Sequence, residues 1–550
     1  VTTLPFLRWP FLALLLGGVL LPPAALASWL RGPGDPLLPR VILGFWILKG
    51  LLLLHGMADL ALPRLLPARP VTEDTAGGVS RRGLLVLILG GVVLRLPGLD
   101  AGLWYDEIQT LVQYVRQPMG ILITTFDSTN QHLLYSVLAR ITVLVAGESA
   151  AALRLPSVLL GAASLGAVVV FARRWLPPRE GWLAALLLLV SYHHIWFSQN
   201  ARGYTGLLLG TLAGTSVFLD LLRRPTTHRQ VWTYAVIMAL TVMTHVTALV
   251  VVAGHAAVWL WQIRALERGP HRWGPLAALA LSGSLALLFY GPVLPQFVAT
   301  LTAPNLDPVA PQWKQAGWFV REAIGALVRG VPMGVLVVPM GLGIGLAGVV
   351  SAWRRDRVAT ALMLLPMAGM AALLAVAGHN LWPRFFFFGA GFAVLLGVRG
   401  TFATLSGLLP GAGPRLGQVL LAAAALASTV LLPRAWAPKQ DYAGAAAWVV
   451  EHREPGDVVA VTDMTWLPLT QWLGFDWPRV DHAGALRILE TDSAATWVLT
   501  TFPIRLAAVA PSLWTHLAES YAPATVIPGT VGGGAITIHV HRPPAPELTP

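Results

Sequence analysis

Cysteine is absent from the 550 residues of this chain. That single absence removes disulfides, thiolate nucleophiles and cysteine-based metal sites together. Charge is also scarce. Asp, Glu, Lys and Arg make up 12% of the residues, against roughly 25% in soluble globular domains, and a lipid-facing surface would produce such a deficit. Lysine is nearly missing: Lys49, Lys314 and Lys439 are the whole set, and the other basic residues are arginines. Acid is scarcer than base, with 26 Asp and Glu in all, so any pair of carboxylates stands out.

What fills the chain is apolar. Hydrophobic residues are 55% of the total, and the mean hydropathy is +0.66. The net charge of +12 would suggest nucleic acid in a soluble protein. Here the arginines sit in short clusters between apolar runs, which is the positive-inside pattern of membrane proteins, so no nucleic acid is expected as a partner.

A membrane span needs about 20 apolar residues. The hydropathy pattern predicts thirteen spans, near 10–30, 41–61, 83–99, 151–171, 181–197, 204–221, 231–246, 247–263, 275–298, 332–352, 358–377, 385–400 and 416–433. The first reads as a retained anchor rather than a cleaved signal peptide. With this threading the clusters Arg64/Arg69/Arg81/Arg82, Arg173/Arg174/Arg179, Arg223/Arg224/Arg229, Arg264/Arg268/Arg272 and Arg354/Arg355/Arg357 fall on one side. That side is then cytoplasmic, together with the N-terminus, and the C-terminal tail lies outside. Residues 132–147 are apolar enough to suggest a further span, but counting them would put the later clusters outside. They are therefore expected to form an interfacial or re-entrant helix within a large outer loop, 100–150. The Gly-rich run 341–345 lacks a preceding strand and a following Lys, so close helix packing is expected there rather than phosphate binding.

After 434 the composition changes. Residues 440–454 read as an amphipathic helix, and 458–462, 496–502 and 535–540 as strands. The expectation is an all-α polytopic membrane protein with a small C-terminal α/β extracytoplasmic domain, divided into 1–82 (two additional spans), 83–433 (the core) and 434–550.

Candidate chemistry gathers in the outer segments. Asp106 and Glu107 follow Trp104 and Tyr105 directly after the third span. A carboxylate at a low-dielectric boundary can serve as a base, although a solvated loop start would look the same. Asp127, Asn130, Gln131 and His132 precede the loop helix, where such residues either cap the helix or bind a phosphate or sugar. Residues 198–204 (SQNARGY) place Gln199, Arg202 and Tyr204 at an outer helix end. Arg154 and Arg384 occupy similar outer edges. Three outer arginines run against the positive-inside tendency and favour an anionic ligand, for which the guanidinium fork is suited. His193 and His194 are adjacent, so they do not share a helix face, and there is no HExxH. These two, like His245 and His255, are expected to be buried, hydrogen-bonded residues rather than metal ligands.

The motifs GLWYDE (102–107), NQHLLYSVL (130–138), GESAAALRLPSVLLG (147–161), SYHHIWFSQNARGY (191–204), MTHVTALVV (243–251), WPRFFFF (382–388) and KQDYAGAAAWV (439–449) occur in an order that resembles the GT-C superfamily of polyprenyl-phosphate-sugar-dependent glycosyltransferases. The resemblance is greatest to the bacterial mannosyltransferase-like group related to protein O-mannosyltransferases and aminoarabinose transferases. It covers about 83–450 and excludes the two N-terminal spans.

The resemblance implies a GT-C fold in a bacterial inner membrane and an inverting transfer of a sugar from a polyprenyl-phosphate carrier to a hydroxyl on the outer face. The acceptor is a lipid, glycan or protein. Asp106 would be the base, with Glu107 assisting. Arg154, Arg202 and Arg384 would hold the carrier phosphate. Asp127, Asn130, His132, Gln199 and Tyr204 would line the substrates. Two departures are visible: Leu133 and Leu134 stand where many relatives have prolines, and Asn200 stands where many have an acid. The second weakens the case for a bridging metal. Oligosaccharyltransferase cousins use a divalent ion; here no cofactor is required, and a metal is possible without being indicated. The rival readings are a lipid-carrier transporter or flippase, and a non-catalytic GT-C scaffold. Transporters often show internal repeats and midplane charges, and neither is evident.

Overall fold

The computed structural model describes residues 20–65, 79–266, 270–302, 311–376, 378, 380–491 and 493–542. These residues are mostly helical. Among them, eight helices are long and apolar enough to cross a membrane, or nine if the bent pair Pro178–Leu189 and Tyr192–Ser198 counts as one span. The chain is an integral membrane protein. Each expected span within the described residues coincides with helix, but the sequence-based total of thirteen spans is larger than this set. Helices His228–Thr244 and Ala248–Gln262 are short for a crossing, and the start of the 10–30 segment, with Arg69, lies outside the described residues. Many large apolar side chains on these helices face outward, Val335 and Leu336 among them, as contact with lipid requires.

Small residues bring the helices together. Gly206, Gly210 and Gly214 recur every fourth residue on Tyr204–Arg223, where a Cβ would collide with Thr244, Thr241 and Met238 of the neighbouring helix. Such close backbone approach is how membrane helices gain packing energy. The run 341–345 does not do this: Gly341, Gly343 and Gly345 all face open space. The contact forms one turn later, where Gly348 meets the backbone of Leu396 and Gly400 on the helix Ala390–Leu408. Periodicity located the helix correctly but not which glycines face a partner.

The two ends of the bundle differ chemically. At one end Arg174 pairs with Asp220 at 2.7 Å, Arg223 pairs with Asp356, and Arg399 pairs with Glu180 at 2.8 Å. These ion pairs tie together the helix ends that carry three of the arginine clusters. The opposite end carries the segment 100–150. There Tyr105–Gln109 runs into a π-helical turn, Thr110–Val115, followed by the helices Met119–Ile123 and Leu133–Ala146. The last of these, with 14 residues, rises only about 21 Å at 1.5 Å per residue, too little for a hydrocarbon core of about 30 Å. It packs on the start of Ala150–Ala172 through Tyr135, whose hydroxyl donates to the Leu153 carbonyl at 2.7 Å.

The C-terminal part is an α/β unit. Its strands β1 (Val458–Val461), β2 (Thr496–Thr500), β3 (Ala522–Ile527) and β4 (Ile536–His541) form one sheet in the order β1-β2-β4-β3. The β1–β2 pair is parallel and the other two pairs are antiparallel. The three expected strands correspond to β1, β2 and β4. The fourth, β3, escaped the sequence pattern because it is an edge strand with Pro523 near its start and mostly exposed side chains, so it shows no apolar alternation. This unit has one buried cluster of its own, which includes Ala460, Val498, Leu506, Leu513 and Leu517, and it shares a second with the outer loop. Leu103, Ile108, Leu111 and Tyr135 of the outer loop share one buried cluster with Tyr442, Val449, Leu469, Trp497 and Ile538 of the tail.

Candidate active site

The short helix Tyr105–Gln109 carries both carboxylates of the YDE motif, and its geometry sends them to different places. Successive residues on a helix diverge by about 100°, so neighbours do not share a face. Glu107 turns inward and is fully buried. Arg154 grips it side-on, Nε to Oε1 at 2.8 Å and Nη2 to Oε2 at 2.6 Å. The Ala201 amide donates to Oε1 at 2.7 Å, and the Trp104 amide to Oε2 at 3.2 Å. Burial alone would raise the Glu107 pKa, but the Arg154 and Lys439 charges and these hydrogen bonds hold it below the ordinary carboxylate value.

Arg154 is not free to meet a phosphate. Beyond Glu107 it donates to the carbonyls of Leu99, Ala101 and Gly102 at 2.7–3.0 Å, which spends all five of its N–H groups. The sequence-based assignment of Arg154 to the carrier phosphate is corrected accordingly. Its partners are Glu107 and the loop that leads into the YDE helix.

Asp106 turns the other way. Its Oδ2 lies 3.2 Å from Arg202 Nη1 and 3.4 Å from Arg384 Nη1. Arg202 comes from the loop between Tyr192–Ser198 and Tyr204–Arg223. That loop is clamped to Ala150–Ala172 by the Ser157 hydroxyl, which donates to the carbonyls of Asn200 and Arg202. Arg384 enters from the start of the helical segment Pro383–Leu408. Both guanidiniums keep buried N–H groups without a hydrogen-bond partner: Nε and Nη1 of Arg202, and Nε of Arg384. His132 Nε2 is a fourth such atom. Buried polar groups are almost always satisfied, and three of these four atoms belong to the two arginines beside Asp106.

The His132 ring lies 4.5 Å from His245, tilted by 41°, and the Tyr204 ring sits 5.0 Å from His245 and 6.1 Å from His132. Burial first, and then Arg202 and His245, drive the His132 pKa well down, so its imidazole is neutral near pH 7 and either ring nitrogen can carry the single N–H. His245 had no place among the sequence candidates. It caps the end of His228–Thr244, and its only sequence signal was the MTHVT motif.

The remaining candidates separate clearly. Asn130 donates to the Asp106 carbonyl at 3.3 Å and steadies the helix. Asp127 accepts from the Tyr114 hydroxyl at 2.7 Å. Gln199 is buried, and its amide is spent on the carbonyls of Arg95 and Pro97, so it braces the loop and does not line the site. His194 bonds Arg95 at 2.6 Å and Ser164 at 2.9 Å, while His193 meets the Ala326 carbonyl, as expected of structural histidines.

Asn200 is neutral, and its Oδ1 accepts from the Trp104 indole at 3.0 Å. Among the described residues no three His, Asp or Glu side chains converge as a ligand set.

Sequence reasoning missed the tail's contribution. Gln440 is fully buried. Its Oε1 accepts from the Tyr105 amide at 3.1 Å, and its Nε2 donates to Thr501 Oγ1 and the Gly534 carbonyl, both at 3.1 Å. Lys439 beside it donates to the Gln199 carbonyl at 2.5 Å. Burial pushes this lysine's pKa down to about 7, with Glu107 opposing and Arg154 adding to the shift. The KQDY motif was the available signal, but it named no partner.

No protein-family model matches the chain, and no curated protein matches it by sequence. Among solved structures it is similar to the oligosaccharyltransferase of Archaeoglobus fulgidus in complex with Zn and sulfate, with 13% identity, a TM-score of 0.47, and coverage of 82% of this chain and 72% of that one. It is also similar to ArnT from Cupriavidus metallidurans in the apo state, at 12% identity and a TM-score of 0.49, covering 84% and 98%. A third is the arabinofuranosyltransferase AftD from Mycobacteria, at 15% identity and a TM-score of 0.41, covering 86% and 41%. These are GT-C glycosyltransferases. At such identities a likeness concerns the fold alone, and the reading of the site rests on its own geometry.

Proposed function

We propose that this protein is an inverting glycosyltransferase that moves a sugar from a polyprenyl-phosphate carrier to an acceptor hydroxyl on the extracytoplasmic face of the membrane. The observation that carries the reading is the meeting of Arg202 and Arg384 at the Asp106 carboxylate, with the buried Nε of each arginine still lacking a hydrogen-bond partner. Two guanidiniums and one carboxylate, with a neutral imidazole beside them, leave one net positive charge. That matches the single negative charge of a sugar phosphodiester.

In this mechanism the acceptor oxygen attacks the anomeric carbon while the bond from that carbon to the phosphate oxygen breaks. Asp106 takes the proton from the acceptor hydroxyl. The leaving phosphate keeps the bonding electron pair and gains a second negative charge, which Arg202 and Arg384 stabilise as it develops. A single displacement inverts the anomeric configuration and releases polyprenyl phosphate. Glu107 and Arg154 act one step back, fixing the helix that presents Asp106. The arginine clusters at the far end of the bundle favour placing that end in the cytosol, which puts Asp106 outside. A lipid donor also accounts for a site built at the lip of a membrane bundle.

The test is Asp106→Asn in purified protein reconstituted in lipid and screened with radiolabelled polyprenyl-phosphate sugars. Wild type transfers label. The variant retains its thermal midpoint and its binding of undecaprenyl phosphate but loses transfer by about 10²–10⁴, the range for removing a general base. Full transfer by the variant would discard Asp106 as the base.

A further inference from the structure

A second concavity lies beside the candidate active site, at the seam between the outer loop and the tail. It measures about 560 Å³ and is lined by Val112 and Arg116 of the loop and by Trp466, Gln471, Phe475 and Asp476 of the tail, among others. None of these residues entered the reading of the transfer site. We propose that this groove binds a saccharide chain, and that it receives the sugar units of a glycan acceptor beyond the one that reacts. The inference rests on the transferase reading and extends it to the acceptor's chemical class.

The lining has the two-sided character of a pyranose or furanose ring, which presents apolar C–H faces and a rim of hydroxyls. Phe475 is stacked on Trp477 at 4.3 Å and an interplanar angle of 22°, and Trp466 adds a further partly buried ring. The rim is polar, with the Arg116 guanidinium, the Gln471 amide and the Asp476 carboxylate, groups that can both donate to and accept from hydroxyls. Apolar surfaces with a few placed polar groups are the usual composition of small-ligand sites, and 560 Å³ lies within their range of about 300–1,000 Å³.

The walls are tied in place. Arg116 pairs with Glu148 at 2.8 Å and reaches the Gln471 carbonyl at 3.4 Å, linking loop to tail. Gly474 turns the chain at φ +79°, a left-handed conformation that other residues rarely adopt. The tail wall is a π-helical turn, Leu467–Trp472, and no strand edge lines the groove, so a peptide has no ladder to join. The charged rim disfavours a lipid chain.

The loop wall of the groove belongs to the same helical stretch as Asp106. Val112 and Arg116 lie six and ten residues beyond Asp106 along one helical stretch, which at about 1.5 Å per residue is roughly 9–15 Å. Tyr105, next to Asp106, and Trp466 pack against the same buried cluster. A short oligosaccharide could therefore lie along the helix with one end at the carboxylate.

Binding and transfer are measured separately on the full chain in lipid nanodiscs. Linear tetrasaccharides of mannose, glucose, galactose and arabinose are titrated by calorimetry, without donor. At least one binds wild type. Trp466→Ala weakens binding at least tenfold, Trp466→Phe restores most of it, and the exposed Asp476→Ala weakens it severalfold without altering the thermal midpoint. No tetrasaccharide binding, binding indifferent to both Trp466→Ala and Asp476→Ala, or competition by an unglycosylated peptide or by phospholipid would overturn the proposal. Transfer that persists when no saccharide binds would remove the groove but leave the transferase reading. Saccharide binding without transfer from any donor would do the reverse.

Discussion

Arg154 and Arg202 are both buried arginines at the same helix-bundle end, yet their partners differ, and one pair of substitutions separates the roles proposed for them. Arg202→Gln removes a charge whose Nε and Nη1 have no hydrogen-bond partner and whose ion pair with Asp106 is backed by Arg384. Little folding free energy depends on it, so the thermal midpoint should barely move. A bound phosphate would lose at least one charge-assisted hydrogen bond, about 1.5–3 kcal/mol. At 1.4 kcal/mol per tenfold, this corresponds to a rise in Kd of roughly 10–150-fold. Arg154→Gln instead strands the fully buried Glu107 carboxylate, and breaking such a buried pair costs about 3–5 kcal/mol. That variant should lose several degrees in midpoint, while any folded fraction binds phosphate with near wild-type affinity. Undecaprenyl phosphate binding in nanodiscs gives the Kd, and tryptophan fluorescence on heating gives the midpoint. Arg154→Gln losing tenfold in phosphate affinity at an unchanged midpoint, or Arg202→Gln binding as wild type does, would refute the division.

Two further outcomes follow. Gln440→Ala leaves the Tyr105 amide without its acceptor and cuts the link from Tyr105 to Thr501 and Gly534; kcat should fall at least tenfold with little change in the donor KM, read from initial rates over a donor series. Lys439 has a folded-state pKa near 7 against an ordinary 10.5, so above pH 7 the unfolded chain binds the extra proton and stability rises with pH. The wild-type midpoint should therefore climb between pH 7 and 9, and Lys439→Met should flatten that slope. A parallel slope in the variant would assign the effect elsewhere.

The bundle was legible because lipid imposes length and hydropathy on every crossing segment, and because arginine clusters mark one end, where Arg174 and Arg223 pair with Asp220 and Asp356. The meeting of the candidate residues was legible in part. Asp106, Arg202 and Arg384 could be singled out because a carboxylate and outer arginines violate the composition around them. The split between Asp106 and Glu107 could not be read, since adjacency in sequence conceals the helical rotation that sends one inward. Nor could the partner of Arg154, which depends on the carbonyls of Leu99, Ala101 and Gly102 turning toward it. His245 and Gln440 lie 113 and 335 residues from the groups they touch, and no local pattern encodes such a contact. The glycine run 341–345 shows the converse case, where a conspicuous pattern meets no partner.

The placement of Gln440 bears on what the tail is for. The first backbone N–H groups of any helix lack intrahelical acceptors, and in the YDE helix one of them, the Tyr105 amide, is satisfied by a side chain from beyond the last span. The same helix shares its buried cluster with strands β1, β2 and β4. A base must be held within hydrogen-bond reach of the proton it takes, and a five-residue helix is far too short to hold its own shape in water. Its order is therefore borrowed, from Arg154 and Ala201 on the membrane side and from Gln440 on the tail side. The tail is then part of the scaffold that holds this helix, and under the proposed function it helps to place the base. Any ligand that tightens the seam between loop and tail, as a saccharide in the neighbouring groove would, also steadies the carboxylate at its end.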